Sequence, residues 1–127
     1  MQSNDDKKRL RRLIYDLLWS IDDLDRILNT AEKTGHISPD YLNNLKHTRK
    51  RIIDAMVGAG VSFDGALGED YDPRIHEVIE QREDTNTPAN QVIDVFEIGC
   101  SWDGKRIRHA KVAVSRNPAT DQHSKQE

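Results

Sequence analysis

Leu10-Arg11-Arg12-Leu13-Ile14-Tyr15-Asp16-Leu17-Leu18-Trp19-Ser20-Ile21-Asp22-Asp23-Leu24-Asp25-Arg26-Ile27-Leu28-Asn29-Thr30-Ala31 is the stretch on which the fold turns. Its apolar residues Leu10, Ile14, Leu17, Ile21, Leu24, Leu28 and Ala31 recur at alternating steps of four and three, the spacing of a coiled-coil seam. Leu13, Leu18 and Ile27 widen the stripe beyond a two-stranded seam, which suits a bundle. The spacing predicts a helix over about 7–34, with residues 1–6 fraying and Gly35 in the left-handed position that ends helices.

Working outward, Ser38-Pro39-Asp40 reads as a second helix start. Serine caps free N–H groups, proline fits the first turn, and aspartate meets the positive end of the dipole. This helix is predicted over 39–58, with Leu42, Leu45, Ile52, Met56 and Ala59 on one face and Gly58 and Gly60 ending it. Arg49 interrupts that face, so part of it is either wet or paired with an acid. Two helices joined by a short connector make a hairpin whose apolar area is too large to leave in water. Pairing two hairpins into a dimeric four-helix bundle buries it, with Leu10, Ile14, Leu17, Ile21, Leu24, Leu28, Leu45, Ile52 and Met56 as the dimerisation residues.

After Val61 the helical period stops. Asp64 to Asp70 is rich in turn residues, and strands are predicted over Ile75–Gln81, Val92–Ile98 and Arg106–Ser115. Asp103-Gly104 is the dipeptide of a tight hairpin turn. The expected fold class is α+β: a helical dimerisation region over 1–60, a small antiparallel β domain over 61–116, and a disordered polar tail over 117–127.

The 127 residues have room for one such arrangement and not for two full cores. A net charge of −3 argues against a dedicated nucleic-acid binder, so the basic runs Lys7–Arg12 and Lys46–Arg51 read as solvated helix faces. With one cysteine, Cys100, no internal disulfide can form. No apolar run reaches the roughly 20 residues of a membrane span, and neither a secretory signal nor a transit peptide is evident, so a cytoplasmic location is expected. His36, His47, His76, His109 and His123 have no metal-ligand spacing, no glycine-rich phosphate loop is present, and Asp64 to Asp72 lacks the order of a calcium loop. Catalysis, a metal and a cofactor are not expected. Asp22, Asp23 and Asp25 read as the solvated side of a helix.

Three segments resemble the GrpE family of chaperone nucleotide-exchange factors. Leu17 to Leu28 is similar to the family's Leu-Leu-x-x-hydrophobic-Asp-x-hydrophobic-Asp/Glu-Arg-Ala-Leu helix. Asp72-Pro73-Arg74-Ile75-His76-Glu77 matches its Asp-Pro-x-x-His-Glu/Gln signature. Gly99, Arg106-Ile107-Arg108 and Ala110 to Val114 echo its closing glycine, hairpin and strand. The resemblance runs from about Leu13 to Val114, with Tyr71, Val78, Ile98 and Cys100 departing from the usual residues. The family also has a long helix ahead of this region, nearly all of which is missing here, so the likeness is to a shortened and divergent member.

The resemblance implies a homodimer whose β domain opens the nucleotide-binding cleft of a DnaK-type chaperone ATPase domain and releases ADP, without covalent chemistry. The expected chaperone contacts are Phe96, Gly99, Trp102, Lys105, Arg108 and Val114. Lys105 and Val114 occupy family contact positions, while aromatic residues and arginine are common interface anchors. Asp72, Pro73 and His76 are read as structural: a turn cap, a fixed strand entry and a hydrogen-bonded packing residue. The alternative is a dimeric scaffold that has lost exchange activity. Neither nucleic acid nor a membrane is an expected partner.

Overall fold

The structure, a computed structural model, describes residues 3–118. The predicted tail from Ala119 onward, with His123, lies outside them.

Helix α1 spans Asn4–Thr34 and α2 spans Pro39–Gly58. The first begins before the predicted Lys7 because Ser3 is a cap: its hydroxyl accepts the Asp6 N–H at 3.2 Å, and Asp5 and Asp6 favour the positive helix end. It ends at Gly35, whose φ of 66° lets its N–H reach the Ala31 carbonyl. Helix α2 starts as predicted: Ser38 accepts the Tyr41 N–H, with Pro39 in the first turn. Arg49 resolves its two alternatives by pairing with Asp25, from Nε to Oδ1 at 2.5 Å and from Nη2 to Oδ2 at 3.3 Å. Lys46 meets Glu32 at 2.6 Å, and the two pairs set the antiparallel register of the hairpin.

The predicted seam divides in two. Ile14, Ile21 and Leu28 are buried within the single chain, as is Met56 on α2. Leu10, Leu24, Leu45 and Ile52 are half-buried, and Leu17 is exposed. Positions seven apart share one helix face, so alternate members of the seam serve different neighbours. Ile14, Ile21, Leu28 and Met56 are therefore packed inside the single chain, while Leu10, Leu17, Leu24, Leu45 and Ile52 keep more of their surface.

The β region differs from the predicted three-stranded sheet. Strands β1 Val61–Asp64, β4 Gly99–Trp102 and β5 Lys105–Arg108 form one sheet in the order β1-β4-β5. Strands β2 His76–Glu83, β3 Val92–Glu97 and β6 Ala110–Arg116 form another in the order β2-β6-β3. The second sheet is mixed, since β6 runs parallel to β2 and antiparallel to β3. The expected continuous strand Arg106–Ser115 breaks at His109. Beyond it the Ala110 N–H bonds the Ile75 carbonyl at 2.9 Å, which draws the chain into the other sheet. That break explains why the alternation of this segment is poor.

Val92, Ala110, Val112 and Val114 make the core of the mixed sheet, with Val78 and Val95 packed against it. The chain divides into two compact units, the first ending at Val61 and the second starting at Ser62. Asn117, expected in the tail, is tied back by a 2.9 Å bond from its Nδ2 to the Thr87 carbonyl.

Candidate functional site

The expected contact residues lie on both sheets of the second unit. Strands β4 and β5 form a hairpin in which Trp102 faces Lys105, Ser101 faces Arg106 and Cys100 faces Arg108. Its turn needs two left-handed residues, and Asp103 (φ 54°) and Gly104 (φ 72°) supply them. Lys105 is exposed beside that turn, and Trp102 is half-buried. Arg108 is committed inside the unit: its Nε donates to the Ile98 carbonyl at 2.8 Å, and its Nη1 lies 3.7 Å from Glu97. Arg106 binds Asp64 at 2.5 Å, tying β5 to β1.

Phe96 lies on β3 and is 40% exposed. Val114, on the central strand β6, is 1% exposed and part of the hydrophobic core. The structure places it in the core: alternation turns Val112 and Val114 inward together. Gly99 is buried, with nothing to present to a partner. Its role is spatial, because the backbone of Ala110 comes too close for a side chain there.

The Asp72-Pro73-Arg74-Ile75-His76 segment forms a closed local network. The Asp72 carboxylate accepts the Arg74 backbone N–H at 2.9 Å and the Arg74 guanidinium at 2.9 Å and 3.1 Å. These bonds, the Arg74 side chain first, hold its pKa down at about 2. His76 is buried, and its Nδ1 accepts the Asp72 N–H at 3.0 Å. Nδ1 is thus unprotonated, which leaves Nε2 to donate to Glu69 Oε2 at 2.8 Å. Tyr71 stacks on the imidazole at 6.2 Å. Burial pushes the Glu69 carboxyl up, but the Ala66 N–H and His76 outweigh burial and leave it below the ordinary range.

Cys100 is fully buried, and burial pushes its thiol up to about 11, so it stays protonated and unreactive at neutral pH. Among the described residues no group of His, Cys, Asp and Glu is arranged to hold a metal ion. No described helix is long and apolar enough to cross a membrane.

Two features escaped the sequence reading. Glu69 gave no signal, because its partner is seven residues away across an irregular loop. Arg82 was hidden in the charged run Glu80-Gln81-Arg82-Glu83, where only the strand register brings it to Asp94 and Phe96.

The chain is similar to known proteins over most of its length. It is 31% identical over 111 residues to Protein GrpE of Geobacillus stearothermophilus, covering 87% of this chain and 50% of that protein. It is 29% identical over 114 residues to Protein GrpE of Brachyspira hyodysenteriae, covering 89% and 57%. To Protein GrpE of Chloroherpeton thalassium it is 31% identical over 107 residues, covering 82% and 52%. The chain spans about half the length of the curated relatives it matches. The family model GrpE matches residues 2–116, every residue of both helices and both sheets, and the chain therefore belongs to the GrpE family.

Proposed function

We propose that this chain is a GrpE-like nucleotide exchange factor. Its β unit binds the ATPase domain of a DnaK-type chaperone and favours the open form of the nucleotide cleft, so ADP leaves. The observation that carries the reading is the family match across both units, residues 2–116. The exchange step is a shift of population with no covalent chemistry and no cofactor. A ligand tilts an open–closed equilibrium only by its difference in affinity for the two forms, and about 3 kcal/mol moves it roughly a hundredfold. Phe96 on β3, Trp102 on β4 and Lys105 on β5 are the proposed contacts, two aromatic groups and an exposed cation. The reading also includes a homodimer acting in the cytoplasm, without nucleic acid or membrane as partner.

A second reading, a dimeric scaffold without exchange activity, draws support from one observation. Val114 and Cys100 are both sealed in the interior, which leaves a smaller apolar surface for a partner.

Release of a fluorescent ADP analogue from a DnaK-type ATPase domain separates the two. Acceleration that saturates with added protein is the expected result. Binding without acceleration at saturation leaves the scaffold, and no binding at all overturns both.

A further inference from the structure

Resting on the reading above, we propose that Arg82 is a positioning residue for the partner contact, holding the Phe96 ring in the orientation that the chaperone meets. Arg82 lies on β2 and Phe96 on β3, the two edge strands separated by β6. The Arg82 Nε donates to Glu80 Oε1 at 2.7 Å, and its Nη2 donates to Glu80 Oε2 and to Asp94 Oδ2, each at 3.1 Å. Glu80 and Asp94 both register opposite Ala113, so the guanidinium spans the central strand where its side chain is small. The guanidinium carbon then sits 5.9 Å from the centre of the Phe96 ring, within range of a cation–π contact.

This arrangement matters because the ladder does not define Phe96. The register shifts between Val95 and Glu97, and Phe96 falls in the irregularity with no opposite residue. An exposed aromatic there samples several rotamers and must be ordered when a partner binds, which costs affinity. A cation pinned by two carboxylates removes part of that cost in advance. Glu80 and Asp94 raise the proton affinity of the guanidinium further, so Arg82 is fully charged at every working pH. Each surface ion pair is weak by itself. The network acts through geometry, by giving one exposed ring a preferred pose.

Affinity of the full chain for a nucleotide-free DnaK-type ATPase domain, measured by calorimetry, tests this with Arg82→Gln, Arg82→Lys, Phe96→Ala and the double variant. The expectation is that Arg82→Gln weakens binding ~3- to 10-fold and that Arg82→Lys falls between it and the parent. In the Phe96→Ala background Arg82→Gln should have no further effect, since nothing is left to position. A general loss of folding would instead weaken both backgrounds equally, and that result overturns the proposal. So does an Arg82→Gln variant with parental affinity while Phe96→Ala binds weakly, an outcome that leaves the exchange reading intact. If Phe96→Ala binds as the parent does, Phe96 is not a contact and the role of Arg82 falls with it. If the parent chain itself does not bind, the functional reading fails and the proposal with it.

Discussion

A Cβ placed on Gly99 would lie 2.7 Å from the backbone nitrogen of Ala110 and 3.2 Å from its Cβ. Gly65 is confined from the other side: its Cβ would meet that of Ala110 at 2.8 Å, and its φ of 98° already favours glycine. Three small residues thus let the start of β6 pass close to the start of β4, where the two sheets approach. For Gly99 the obstacle is a backbone atom, which cannot rotate aside as a side chain can. We expect Gly99→Ala to lower the stability of the full chain by about 1–3 kcal/mol, the usual cost of overpacking. Urea unfolding checks this, and an unchanged midpoint would refute it. The glycine was legible in the sequence only through family likeness. Its physical cause, the approach of Ala110, depends on a contact between segments far apart in the chain.

The loop before β2 is held by a network of polar bonds. It passes from Glu69 through Asp72 to His76, and it fixes where β2 enters the mixed sheet. Its acid response follows from the direction of the shifts. Asp72 has a folded pKa of about 2, below the roughly 3.9 of an unfolded aspartate. The unfolded state therefore binds more protons between those values. The contribution of this carboxylate is complete above about pH 4 and is lost as pH falls through about 2. Glu69, also depressed, acts in the same sense. We expect Asp72→Asn, which keeps an oxygen for the Arg74 N–H, to flatten the stability profile between about pH 4 and pH 2. Parallel profiles for the parent and the variant would remove Asp72 from the acid response. The turn residues of this loop were readable from local chemistry, as were Ser38, Gly35 and the Asp103-Gly104 turn. The Glu69–His76 pair was not, since no short-range rule predicts which acid a buried histidine meets.

At the scale of the molecule, folding of one chain leaves apolar surface uncovered on α1. Leu13, Trp19 and Ile27 are about half exposed, Leu17 lies beside them in exposure, and the Tyr15 and Trp19 rings make an edge contact at 6.0 Å. Exposed apolar residues in this number on one helix need a cover, and the proposed dimer supplies it. We expect sedimentation at about 10 µM to show a dimer, since dissociation is governed by protomer concentration. A Leu13→Glu, Leu17→Glu double variant should be monomeric with its helical content largely kept. A monomeric parent chain at that concentration would oppose the dimer.

The sequence by itself determined the two helices, all their ends but the start of the first, the hairpin between them, and the change to strands after Val61. Those features rest on spacing and capping, which act over a few residues and are carried in the order of side chains. Only the tertiary structure decided that the strands divide between two sheets, that β6 runs parallel to β2, and that Val114 turns inward while Arg82 reaches Phe96. Strand pairing is made between residues distant in the chain, and one break at His109 reassigns every neighbour that follows it.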